Sequence, residues 1–172
     1  MKFRTAAILT STALTLTACS STVTEATKAT TPASTTTAKA NHVGDTLQVG
    51  PEAVTLHTVT APATPVDQYS SAPSGNTLAS AQFTIKNTGT KPIASDANNN
   101  ATAIGSNGQT LQIDFSQVAG CTSFSEGNYT ITPGSSATGC VNFDLPTGVT
   151  VSRVQWSRNT FDDQSVGVWQ VP

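Results

Sequence analysis

Between Ala79 and Ile85 every second residue is apolar: Ala79, Ala81, Phe83 and Ile85, with Ser80, Gln82 and Thr84 in between. A strand turns successive side chains to opposite faces, so a period of two commits a segment to a sheet with one face in a core. The same period returns at Leu111, Ile113 and Phe115, at Tyr129 and Ile131, and at Val141, Phe143 and Leu145. Turn chemistry closes these stripes: Gly50-Pro51 after Leu47-Gln48-Val49, Asn87-Thr88-Gly89 after Ile85, Pro133-Gly134 after Ile131, and Pro146 after Leu145. Val149 and Val151 share one parity while Val154 and Trp156 share the other, a switch that predicts a β-bulge near Ser152-Arg153. Val166 and Val168 open a last strand whose Trp169 and Val171 face the other way. No window sustains a 3.6-residue period. About seven short strands over residues 42–172 therefore predict an all-β chain folded as an antiparallel β-sandwich.

The first 18 residues do not belong to that pattern. Met1-Lys2-Phe3-Arg4 is a short basic segment, and Thr5 to Thr17 is apolar but studded with threonine. A bilayer core needs about 20 consecutive apolar residues, so this stretch reads as a secretory signal peptide rather than a membrane span. Leu16-Thr17-Ala18-Cys19 resembles the bacterial lipoprotein signal. That resemblance implies cleavage after Ala18, a diacylglycerol on the sulfur of Cys19 and acylation of the new amino end. The alternative, an ordinary secretory leader with an incidental cysteine, accounts for fewer of these positions. Two or more acyl chains anchor a protein stably where one does not. The resemblance thus implies a protein held at the extracytoplasmic face of the cell membrane by the lipid on Cys19.

Residues 19–41 follow as a tether. Ser20 to Asn41 holds eight Thr and three Ser, no aromatic residue and a single Pro. Such a segment cannot bury enough apolar surface to offset its chain entropy, and 22 residues reach at most about 70 Å when extended. The folded domain is expected to start at His42.

The charge balance narrows the partners. Without Lys2 and Arg4 the chain carries 6 basic and 10 acidic residues, a net charge of −4. Beyond the tether, Lys86, Lys91, Arg153 and Arg158 face nine acidic residues, which reads as a thinly charged acidic surface. Nucleic-acid binding draws on clustered Lys and Arg, so no nucleic-acid partner is expected. Export places the remaining two cysteines, Cys121 and Cys140, in an oxidising compartment, and a disulfide between them is expected. Because Val141, Phe143 and Leu145 mark the apolar face, Cys140 points away from it. The bond should therefore pin the Gln117–Asn128 loop to the outside of a sheet, two free thiols being the alternative.

Three segments carry a family resemblance: VGDTLQVG at 43–50, FTIKNTGTKPI at 83–93 and PGSSATGCVNFDLP at 133–146. In this order they resemble the telokin-like, immunoglobulin-like domain of unknown function found in secreted lipoproteins of Gram-positive bacteria, actinobacteria especially. The resemblance implies an immunoglobulin-like sandwich at the cell surface with no assigned chemistry. The chain departs from that pattern over Ser95 to Gln109, which is rich in Asn, Gly and Ala and reads as a loop.

Residue chemistry gives few candidates. His42 and His57 lack metal-ligand spacing with each other or with Cys and Asp. Asp96-Ala97-Asn98-Asn99-Asn100 begins like a calcium loop, but Ala101 stands where that loop needs Gly and no Glu follows at its twelfth position. Asp162-Asp163 reads as a solvated acidic pair. No cofactor, metal site or catalytic residue is expected, and the chain does not read as an enzyme. The expected function is a non-catalytic binding module with an unknown cell-envelope or extracellular partner, the alternative being an extracytoplasmic carrier of a small ligand or ion. Recognition in sandwiches sits on loops, and the longest expected here are Pro62 to Asn76, Ser95 to Gln109 and Gln117 to Asn128, with Tyr69 and Phe124 as their aromatics.

Overall fold

The computed structural model describes residues 40–158 and 165–172. The leader, Cys19, residues 20–39 and Asp162-Asp163 lie outside the described residues. Strands β1 (Thr46–Val49), β2 (Glu52–Ala63), β3 (Asn76–Asn87) and β4 (Ile93–Asp96) lead into one helical turn, α1 (Ala97–Asn100). Strands β5 (Ala101–Gly105), β6 (Gln112–Asp114), β7 (Asn128–Ile131), β8 (Ser136–Pro146), β9 (Val151–Ser157) and β10 (Val166–Gln170) complete the chain. Five strands form one sheet in the order β1-β2-β3-β8-β6, three form a second in the order β10-β9-β5, and β4 pairs with β7. Each of these pairings is antiparallel. The molecule is the β-sandwich that the period-two pattern predicts.

Aromatic side chains join the two sheets. The ring of Phe83 on β3 lies 4.9 Å from that of Trp156 on β9 and 6.3 Å from that of Trp169 on β10. Ala79, Ala81 and Ile85 on β3, with Val141, Phe143 and Leu145 on β8, share this core, so the alternation read from the sequence is the core face. The β3–β8 ladder runs without a register shift from Asn76↔Pro146 to Lys86↔Ser136. The bulge falls where the parity switch places it. Ser152 has no partner between Val151↔Gly105 and Arg153↔Ile104. That extra residue lets Val151, Val154 and Trp156 all face inward, and the Ser152 hydroxyl donates to the Ile104 and Gly105 carbonyls at 3.0 and 3.1 Å.

Three expectations need correction. The described residues form ten strands rather than about seven; β4, only four residues long, and β5 carry no period-two stripe in the sequence. Ser95 to Gln109 is not a loop: it holds the end of β4, α1 and β5. Its inward residues, Ala101 and Ala103, are small because they lie opposite Trp156 and Val154 on β9, so the apolar signal is faint although the burial is complete. Phe115 does not continue the stripe of Leu111 and Ile113. β6 ends at Asp114, whose Oδ1 accepts the Ser116 N–H at 2.7 Å, and this turn leaves Phe115 81% exposed.

Candidate functional site

The sheet face turned away from the core carries Leu78 and Ser80 of β3 and Cys140 and Asn142 of β8. Ordinarily such a face meets water, but here the loop of residues 115–127 crosses it. Four attachments hold that loop. The Cys121–Cys140 disulfide joins Cα atoms 6.0 Å apart. The Cys140 N–H donates to the Thr122 carbonyl at 3.0 Å, and the Asn142 side-chain amide donates to the Ser116 carbonyl at 2.8 Å. Val118 packs with Ala63 and Leu78 in a small second cluster, with Cys121 against it. The disulfide therefore pins the loop to the outside of the sheet, as the parity of Cys140 predicts.

Phe124 behaves otherwise than expected. It is a buried anchor of this loop, not an exposed contact residue. Its ring rests against β8 at Gly139, where a Cβ would come within 2.8 Å of the ring, so only glycine admits this approach. Sequence reading places it on the surface because the loop around it is polar, and nothing local signals the missing Cβ fifteen residues later.

The exposed apolar groups gather beside the same loop. Among the described residues the exposed large hydrophobics are Val66, Tyr69, Phe115 and Val166. The first three surround two adjoining grooves of about 760 and 530 Å³, which share Asp114, Phe115 and Gln117. The segment 64–66 pairs with 117–119 through Val66 N–H to Gln117 O at 3.0 Å and Ala119 N–H to Thr64 O at 2.8 Å. Asp67 Oδ1 accepts the N–H groups of Tyr69 and Ser70 at 2.9 Å each, so local turns fix the backbone that carries both exposed rings. Tyr69 is 86% exposed. Asn142 stands in the wall of the larger groove, 3% exposed, and its Oδ1 lacks a hydrogen-bond partner. Such an arrangement can hold a molecule by stacking, burial and hydrogen bonds.

A second polar constellation lies inside the sandwich. Glu52 is fully buried, which corrects its place among the surface acids. Its Oε1 accepts from the Tyr129 hydroxyl at 2.9 Å and its Oε2 from the Trp156 indole N–H at 3.0 Å. Arg158 reaches Oε1 at 3.4 Å from a half-exposed position. Asn100 donates to the Tyr129 oxygen at 2.9 Å and to Ser95 Oγ at 3.0 Å. Burial, then the negative charge of Glu52, push the Tyr129 hydroxyl well above the ordinary tyrosine value. This network ties β2, α1, β7 and β9 together and opens on no groove described here.

The other sequence candidates stay apart. Asp96 caps α1, its Oδ1 accepting the Asn98 N–H at 2.8 Å and its Oδ2 the Asn99 amide at 3.2 Å. His57 Nε2 shares a 2.8 Å hydrogen bond with the Thr84 hydroxyl on an exposed sheet face. Among the described residues, no three His, Cys, Asp or Glu side chains converge to hold a metal ion, and no helix is long and apolar enough to cross a membrane.

The sequence profile of a domain of unknown function, DUF4352, matches residues 41–166. The chain belongs to the DUF4352 family. Solved structures share its fold at low identity. The yjhA protein of Bacillus subtilis superposes with a TM-score of 0.53 at 14% identity, over 77% of this chain and 99% of that one. The ycdA protein of Bacillus subtilis, described as a candidate lipoprotein, gives 0.55 at 14% identity, over 76% of this chain and 38% of that one. The secreted protein MPT63 of Mycobacterium tuberculosis gives 0.54 at 15% identity, over 76% and 95%. No curated protein matches this chain. At these identities the likeness shows the fold alone.

Proposed function

We propose that the protein is a non-catalytic binding module of the cell surface. A lipid on Cys19 anchors it to the extracytoplasmic face of the membrane, and residues 20–41 hold its telokin-like, immunoglobulin-like domain away from the bilayer. The Cys121–Cys140 disulfide supports an oxidising, extracytoplasmic setting. One observation carries the binding role: three of the four exposed large hydrophobics of the described residues rim one pair of grooves on a disulfide-pinned loop. Solvent-facing aromatics held by local turns favour contact with a partner over packing.

The test compares retention of cell-envelope material by the wild-type chain and by a Tyr69→Ala/Phe115→Ala variant. A His57→Ala variant, altered on the same sheet but outside the lining of both grooves, is the control. Retention should fall with the aromatic pair and persist in the control. Equal retention by all three would remove the groove from the reading. The volume of the larger groove also lies within the range of small-molecule sites, which supports the carrier reading as second. Saturable uptake of a small metabolite from an envelope extract, with no macromolecule retained, would favour it.

A further inference from the structure

The charge of the two grooves is one-sided. Asp67, Asp114 and Glu126 line them, and no Lys, Arg or His does. Asp67 and Asp114 each engage Oδ1 in a turn, and among the described residues Oδ2 of each has no hydrogen-bond donor. Tyr69 and Phe115 line the same groove as these carboxylates, and a cation against an aromatic ring is attracted by its quadrupole. β6 ends its sheet: among the described residues it pairs with β8 alone, so its other edge offers backbone donors and acceptors.

Resting on the binding surface argued above, we propose that its occupant is an extended peptide segment carrying Lys or Arg. The peptide adds a strand to the free edge of β6 by backbone hydrogen bonds. Alternate side chains, about 7 Å apart along a strand, then reach the Tyr69 and Phe115 rings, with the cationic heads over Asp67 and Asp114. Opposite charge sets which peptide enters, and the strand edge and rings hold it.

The test uses the full chain in detergent, titrated with three probes: a hexapeptide alternating lysine and valine, its counterpart alternating glutamate and valine, and a neutral chitin hexasaccharide. The lysine peptide should bind at least tenfold more tightly than the glutamate peptide, and raising salt from 0.05 to 0.5 M should weaken it several-fold. Asp67→Asn with Asp114→Asn should abolish the preference, because asparagine keeps the turn acceptor and removes only the charge. Circular dichroism of that variant should match the wild type. Equal binding of the two peptides overturns the inference. Saturable binding of the hexasaccharide alone, lost in Tyr69→Ala/Phe115→Ala, also overturns it while leaving the binding surface standing. Binding of no probe, with envelope retention unaffected by the aromatic pair, removes both.

Discussion

The Tyr129 hydroxyl donates to Oε1 of Glu52 at 2.9 Å, joining β7 to β2 in the middle of the sandwich. The carboxylate is fully buried and also receives the Trp156 indole. Replacing Glu52 by alanine leaves two buried donors without an acceptor, each worth roughly 1–3 kcal/mol. Glu52→Ala should therefore lower stability by about 3 kcal/mol in urea titration, and Glu52→Gln, which keeps one acceptor oxygen, by less. Equal losses in the two variants would assign the effect to the carboxylate charge, which both remove.

Alkaline stability should depend on Tyr129. Its folded-state value is raised above the ordinary 10.0, so above pH 10 the unfolded chain loses a proton that the folded chain keeps. Its contribution is complete below pH 10 and is lost as pH rises toward the folded value. The slope cannot exceed about 1.4 kcal/mol per pH unit for one proton. Tyr129→Phe should cost about 2 kcal/mol at pH 7 through the lost hydrogen bonds and flatten the decline between pH 10 and 12. Parallel curves for the two proteins would locate the alkaline sensitivity elsewhere.

Reduction of Cys121–Cys140 should destabilise the domain by about 3 kcal/mol in the chain-entropy account, given a separation of 19 residues. The bond lies outside the main core, so the sandwich should remain folded at room temperature while the 115–127 loop loosens. Hydrogen exchange should rise at Thr122 to Gly127 and stay unchanged in β3. Exchange rising throughout β3 would mean that the loop supports the whole domain.

Gly139→Ala places a methyl within 2.8 Å of the Phe124 ring. Overpacking of this kind costs typically 1–3 kcal/mol. The variant should melt lower, and Gly139→Ala should cost less in a Phe124→Ala background than in the wild type. An unchanged cost in that background would show that the strain comes from the backbone.

Cys19→Ser tests the anchor implied by the leader. The variant should leave the membrane fraction, appearing in the medium or as unprocessed precursor, and mass spectrometry of the wild type should find an acylated residue 19. A wild-type protein recovered unmodified and soluble would remove the anchor from the proposed function.

Alternation in β3 and β8 was legible in advance because their inward residues are large and their ladder is regular. The bulge at Ser152 was legible for the same reason: a bulge shifts parity, and parity is visible in Val151, Val154 and Trp156. β5 was hidden because Ala101 opposite Trp156 must be small, and small residues signal little. Phe115 and Phe124 exchanged roles for reasons no local pattern holds. Phe115 faces water because β6 stops one residue earlier, and Phe124 is buried because Gly139, distant in sequence, leaves room for its ring.

The sequence by itself determined the β class, the inner faces of β3 and β8 and the outward direction of Cys140, since each follows from a period of two. Only the tertiary structure decided that Glu52 is an interior acceptor and that Val66, Tyr69 and Phe115 share one rim. Those facts depend on which strands become neighbours, and neighbours 77 residues apart, as Glu52 and Tyr129 are, meet only when the two sheets close on each other.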